Sequence, residues 1–341
     1  MLLRFLKNWT LPVAIAVGVS FYLLFACVPT LDEAGDILSP IFETLLPLTI
    51  FLTLFVTFSK VDFSKMRLRR WHISILTAQL VLVGLLTALI LHTPSHIFYS
   101  PYSKYVLEAV LVCVIAPCAS ASPVVTAKLD GDLTQMTTFV LLSSVVASVL
   151  ISAIFPLIEP PIIPQPSSLN PHPSTLIPQP STLNPHFLTT FLLILRRLAT
   201  ILLLPLLLGA VVRHWAHPLH NWFLRHPDLG FYLWSCSLAI TSGITMRNIV
   251  TSHAGSHLFG DIAVAALVTA LVQFAIGRFI GRHRGEKICT GQAMFQKNTG
   301  LAIWIAYTYL TPEGSIGAGC YVLWQNLINS YELWQHRHHR P

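Results

Sequence analysis

Charge is what this chain has least of. Of 341 residues only 10% are Asp, Glu, Lys or Arg while 54% are hydrophobic, where a soluble domain carries about a quarter charged. With a mean hydropathy of +0.65, the deficit excludes an ordinary soluble globular domain. Cysteine is also sparse and badly placed for metal. Cys27, Cys113, Cys118, Cys236, Cys289 and Cys320 lie in or beside apolar runs with no paired C-x-x-C spacing, so buried inert thiols are expected. No metal or other cofactor is implied. Catalytic motifs are missing as well: there is no G-x-S-x-G elbow, H-E-x-x-H, P-loop or paired-carboxylate arrangement, and an enzyme is not expected.

What is abundant is apolar sequence in membrane-sized lengths. Runs of roughly 20 residues, enough to cross a hydrocarbon core of about 30 Å, recur near 10–29, 38–59, 72–92, 105–127, 133–158, 188–212, 229–250, 257–280, 288–310 and 314–334. Ten spans are therefore expected. Arg196 and Arg197 suit an interface, so the sixth span is expected to start after them. "LLFAC" ending at Cys27 faintly matches a lipoprotein cleavage site, but nine similar spans downstream make the first an uncleaved helix.

The net charge of +7 and pI near 9.2 would suggest nucleic acid in a soluble protein; here the placement of the basic residues matters instead. If the N-terminus is cytoplasmic, 16 of the 21 Lys and Arg fall inside, among them Lys60, Lys65, Arg70, Lys128 and Lys287. Lys104, Arg196, Arg197 and Arg247 fall outside, and Lys297 falls within a span. The positive-inside rule thus favours both termini in the cytoplasm. No nucleic-acid partner is expected, and the oligomeric state is not legible.

One segment lacks membrane character. Residues 159–187 are proline-rich and contain a duplication, "IPQPSSLNPH" from Ile163 recurring as "IPQPSTLNPH" from Ile177. Proline at this density prevents helix and ladder formation, so an extended extracytoplasmic linker is expected. It divides the chain into five spans before (1–158) and five after (188–341, with a basic tail). An odd number per half turns the second half upside down relative to the first, the arrangement of inverted-repeat transporters.

The two halves break in corresponding places. The fourth span holds "CVIAPCASASPVVTAKLDGD" at 113–132, with Pro117 and Pro123; the ninth holds "CTGQAMFQKNTGLAIWIAY" at 289–307. Pro117 frees the carbonyl of Cys113 and Pro123 that of Ala119, because proline has no N–H. Freed backbone must be buried in protein or line a wet cavity, and half-helix ends offer N–H groups to an anion and carbonyls to a cation.

At these residues the chain resembles the bile acid:sodium symporter family and its superfamily. "APCASASPVV" followed by "DGD", and "QKNTGLAIWIA", are similar to the family's two signature stretches. The resemblance covers nearly the whole chain. It implies an all-α membrane protein of ten helices in two inverted five-helix repeats, with broken, crossing fourth and ninth helices. A panel would come from the first, second, sixth and seventh spans and a core from the rest. It further implies a secondary active transporter of a small organic anion, working by alternating access in a bacterial inner membrane. Carried over residue by residue, Ser122 matches a sodium-site serine. Pro123, Met136, Val140 and Ala293 stand where relatives offer ligands, Thr137 and Thr138 lie beside two of these positions, and Gln79 retains a side-chain amide. The coupling ion is then Na+ or H+.

Ser120, Ser122, Thr126, Gln296, Lys297, Asn298 and Thr299 are the candidate substrate-binding residues. Gln79, Glu108, Ser122, Thr137, Thr138, Gln292 and Lys297 are the candidate ion-coupling residues. Lys297 is the sharpest feature, since an ammonium in a membrane interior needs a cavity or a partner. It either takes the place of sodium or is structural, neutralising Glu108 or sitting on a half-helix C-terminus. Glu108 itself is a counter-charge, a proton site or an interfacial carboxylate. Cys118, directly after Pro117, raises an alternative, an arsenite efflux permease using that thiol. A receptor or scaffold on a transporter fold is the other alternative.

Overall fold

The computed structural model describes residues 10–92, 101–158, 187–226, 228–251, 256–282 and 285–338. In order, its helices are α1 Thr10–Cys27, α2 Asp32–Ser59, α3 Arg70–His92, α4 Pro101–Ile115, α5 Ser122–Lys128, α6 Leu133–Ile158, α7 Phe187–Leu198, α8 Leu204–Trp215, α9 His217–Arg225, α10 Leu229–Thr251, α11 Ser256–Gly281, α12 Lys287–Phe295, α13 Thr299–Tyr309 and α14 Pro312–His338. Among the described residues there is no strand, only an isolated bridge between Cys118 and Lys297.

Among the described residues, six helical segments are long and apolar enough to cross a membrane: Pro40–Ser59, Arg70–His92, Leu133–Ile158, Phe187–Trp215, Leu229–Arg247 and His257–Gly281. The other four expected spans fall short for identifiable reasons. The first offers only Val13–Cys27 as an apolar stretch. The fourth and ninth are each split into two shorter helices. The last, α14, carries Gln325, Asn326, Asn329 and Glu332. The Pro-rich segment 159–186 lies outside the described residues.

The helix that carries the sixth span begins ahead of Arg196 and Arg197. It starts at Phe187 and carries both arginines exposed on its third turn. Its 29 residues extend about 43 Å, well beyond the hydrocarbon core, so the arginines can ride on the overhang. A π-helical turn at Ala199–Leu203 links α7 to α8. It falls just before Pro205, which has no N–H to return to Ile201, and a widened turn absorbs that missing bond.

Two groups of helices form. α10 packs on α1 and α2, and α2 on α8. Gly18 makes the first contact possible: a Cβ there would collide with the carbonyl of Ala239. Opposite them, α4, α11, α12, α13 and α14 pack on one another, with α3 against α4 and α5 against α6. Serine-rich α6 survives burial because Ser144, Ser148 and Ser152 each return their hydroxyl to the carbonyl four residues back, which satisfies the donor within the helix. Leu85, Leu89, Val264 and Val268 stay exposed on the outer faces, as lipid-facing side chains must.

Candidate functional site

The first arm, α4 to α5, breaks where the sequence reading places it. α4 ends at Ile115. The carbonyl of Cys113, freed by Pro117, accepts instead from Gln273 Nε2 of α11 at 3.3 Å. Gln79 Nε2 reaches the next three carbonyls, Val114, Ile115 and Ala116, at 2.9, 3.3 and 3.2 Å. Lys297 Nζ adds a bond to Val114 O at 3.0 Å. The carbonyl of Ala119, freed by Pro123, is taken up in a turn by the N–H of Ser122. Negative partial charge at the end of α4 thus faces an ammonium and two amides.

The arms cross as a short antiparallel pair. The N–H of Ala119 donates to Gln296 O at 3.0 Å, and that of Asn298 to Pro117 O at 2.8 Å. The central residues turn their N–H groups outward, Cys118 to Ser143 Oγ at 3.1 Å and Lys297 to Gln325 Oε1 at 2.7 Å. α12 ends at Phe295, whose carbonyl accepts from Tyr321 Oη at 2.7 Å. Asn298 then caps α13, its Oδ1 accepting from the N–H of Leu301.

Beneath the crossing runs a buried polar row. Cys118 Sγ lies 3.1 Å from Ser122 Oγ, which donates to Gln296 Oε1 at 3.1 Å. Gln296 Nε2 donates to Gln292 Oε1 and, at 3.2 Å, to Asn329 Oδ1. Gln292 Nε2 donates to Glu332 Oε2 at 2.8 Å, and the other oxygen of Glu332 is ion-paired with Arg278.

Two cavities meet the crossing. A large one of about 700 Å³ runs between α2, α10 and the helices around α5, α6 and α14, with Ser120, Gln296, Gln325 and Asn329 at its inner end. Lys60, Lys65, Lys128, Asp62 and Asp228 also line it. Outside the apolar spans, the Ser64 hydroxyl and then the Arg213 guanidinium hold the Asp62 carboxyl below its usual range, and burial pulls Lys60 down. A small pocket is lined by Ser120, Asn298, Thr299 and Gly300 on one side and Thr53, Trp234, Ser237 and Thr241 on the other. Thr241 Oγ1 is buried there without a hydrogen-bond partner among the described residues.

The model of the sodium bile acid symporter family matches residues 44–252, from within α2 to the end of α10 and well over half the chain. The chain belongs to this family. It is therefore a multi-pass membrane transporter of a small solute and not an enzyme, in keeping with its six membrane-length helices. A search of curated proteins finds no match. The matched stretch includes the first arm; the second arm, 287–309, lies beyond it.

The candidates named from sequence separate into groups within this family member. Ser120, Gln296, Asn298, Thr299 and Thr137 line a cavity. Gln79, Ser122, Gln292 and Lys297 are buried in the crossing or the row below it. Thr126 and Thr138 are buried and line neither cavity; Thr138 returns its hydroxyl to Thr134 O. Glu108 is not the partner of Lys297. It accepts from Thr311 Oγ1 at 2.7 Å and pairs with Lys104 at 3.5 Å, because it sits on α4 nearly two turns before Val114, the residue that receives Lys297. Met136, Val140 and Ala293 are buried apolar side chains of the core. Cys118 is a free buried thiol, and no group of three metal-binding side chains occurs among the described residues. In the tail, His336 bonds to Asp130 Oδ2 at 3.0 Å.

Sequence reading missed Trp234, Ser237, Thr241, Gln273, Gln325, Asn329 and Glu332. A signal existed for several. Trp234, Ser237 and Thr241, and likewise Gln325, Asn329 and Glu332, recur at helical spacing and form one-sided polar stripes in apolar runs.

Proposed function

We propose that this protein is a secondary active carrier of a small organic anion, built as ten spans in two inverted five-helix repeats with both termini in the cytoplasm. The observation that carries the reading is the 700 Å³ cavity that ends on the crossing of two broken helices. That volume suits one small organic solute. The α13 N-terminus, with Ser120, Thr299 and the unpartnered Thr241 hydroxyl beside it, suits a carboxylate. Under this orientation Lys60, Lys65 and Lys128 line the cytoplasmic mouth, and the large cavity makes this an inward-open state.

Coupling does not use sodium in this reading. Sodium prefers a cage of oxygens, and Met136, Val140 and Ala293 give none. Lys297 already places a positive charge on Val114 O. Two unit charges about 4 Å apart repel by roughly 4 kcal/mol at an effective dielectric near 20, so Lys297 supplies the charge in sodium's place, with a proton or exchange driving transport.

A thermal-shift screen of organic anions on purified protein, followed by liposome flux on the hits, tests the reading. Flux should persist in sodium-free buffer, and Lys297→Gln should impair it or render it sodium-sensitive. Uptake that rises steeply with sodium in both wild type and Lys297→Gln would overturn the coupling. Hits whose stabilisation survives Ser122→Ala, Lys297→Ala and Asn298→Ala would overturn the location. Reporter fusions after Arg70 and Lys287 should read cytoplasm, and one inside 163–186 the outside; deleting that repeat should leave insertion intact.

A further inference from the structure

We infer that Glu332 is a proton-binding site whose charge sets the direction of the hydrogen-bonded row under the crossing, so that a proton taken up there is read out at Ser122. The inference rests on the carrier reading and goes beyond it in naming the coupling group.

The row connects four helices. Ser122 belongs to α5, Gln292 and Gln296 to the second arm, Asn329 and Glu332 to α14, and Arg278 to α11. All but Arg278 are buried. Its polarity is uniform: Ser122 donates to Gln296, Gln296 to Gln292, and Gln292 to Glu332. A hydroxyl and an amide can each donate or accept, so none of the middle members chooses this direction. The end does. An ionised carboxylate only accepts, so Gln292 must present its NH₂ to Glu332, and each member further along follows.

A proton from water converts Glu332 to the neutral acid, which has an O–H to donate. Gln292 can then turn its Oε1 to that O–H and its NH₂ to Gln296. Gln296 turns likewise and offers its NH₂ to Ser122 Oγ, and Asn329 turns to keep pace. The hydrogen that Ser122 gave to Gln296 is released. Ser122 is itself buried, between Ala121 and Pro123, which line the large cavity, and its freed hydrogen can turn to Cys118 Sγ, 3.1 Å away, or toward the cavity wall, so the crossing gains a donor when Glu332 is protonated. A donor favours an anion, and anion and proton would then load together.

Arg278 favours the ionised form of Glu332, but both charge states find partners. Glu332 is faced by Arg278 from α11 and by neutral Gln292 from α12. On its own helix the neighbouring titratable groups are Tyr331, whose ring stacks on Trp334, and His336, already held by Asp130 of the α5–α6 turn. When Glu332 is neutral, Arg278 keeps the ring of Phe274, 4.6 Å from its guanidinium carbon, and a side chain 30% exposed to water. Asn329, Ser330 and Leu333, one turn or less away, line the large cavity, so water reaches the neighbourhood of the carboxylate from that side.

Infrared difference spectroscopy on the full chain in liposomes tests this with the proton as the only probe. Acidification from about pH 8 to about pH 5 should produce a protonated-carboxyl band that Glu332→Gln abolishes. A side-chain amide change should accompany it and disappear in Gln292→Ala, while the carboxyl band remains. A purely structural Glu332 would give neither pH-linked signal. Should Glu332→Gln not fold, Glu332→Asp should shift the band, and Gln292→Ala keeps the carboxylate in place. Absence of any band assigned to Glu332, or an amide change that survives Gln292→Ala, overturns the proposal. No substrate is needed, so this result is separable from failure of the anion-carrier reading, which the flux assay reports.

Discussion

The two arms of the crossing reach the same shape by different means. In the first, a missing donor makes the break: Pro117 and Pro123 cannot supply N–H groups, and Gln79, Gln273 and Lys297 come from elsewhere to cover the carbonyls of residues 113–116. In the second there is no proline. Phe295 O and the N–H of Lys297 leave the helical ladder only because Tyr321 and Gln325 of α14 take them. One interruption is written into the backbone, and the other is imposed by partners. The second arm is accordingly the one whose geometry a change of side-chain charge can alter, and it is the arm that Glu332 touches through Gln292.

The largest effect expected from this difference is at Gln325. Gln325→Leu leaves the buried N–H of Lys297 without its acceptor, at a cost of about 1–3 kcal/mol. Tyr321→Phe, which removes the donor to Phe295 O, should cost about 1 kcal/mol. Thermal or denaturant unfolding in detergent measures both. If neither variant loses stability, the second arm does not depend on α14 and the contrast between the arms fails.

A smaller loss is expected in the first arm from Gln79→Leu, about 1 kcal/mol. Val114 O retains Lys297, whereas Ile115 O and Ala116 O lose the amide they share, and an unpaired carbonyl is better tolerated than an unpaired N–H. A cost above that of Gln325→Leu would reverse the ranking of the arms.

The same contrast explains what was legible in the sequence. Proline acts on its own backbone, so Pro117 and Pro123 announce the first break and even name the carbonyls, Cys113 and Ala119, that need new partners. The second break was legible only as polar residues in an apolar run, because its cause lies some 25 to 30 residues downstream on α14. Lys297 could be identified as unusual, yet a choice between Glu108 and the end of α4 required knowing which residues face each other. Glu332 escaped attention because it lies among aromatic and amide residues near the basic tail, where a carboxylate reads as interfacial. The cavity walls from Trp234, Ser237 and Thr241 escaped for the same reason: a hydroxyl on a membrane helix normally returns to its own backbone, as Ser237 does to Leu233, and only packing reveals that Thr241 does not.

The smallest effect is expected at Pro117 itself, although proline starts the argument for the first arm. Pro117→Ala restores an N–H that could extend α4 by bonding to Cys113 O. That carbonyl is already engaged by Gln273. Extending the helix would also sacrifice the bonds from Ala119 to Gln296 and from Asn298 to Pro117 O, together with Cys118 to Ser143. Each is worth about 1 kcal/mol net, more than one new helical bond returns. The break should therefore persist, with stability within about 0.5 kcal/mol of wild type. A crystal structure of Pro117→Ala with α4 continued past Ile115 would show that the proline, and not the pairing of the arms, holds the first interruption open.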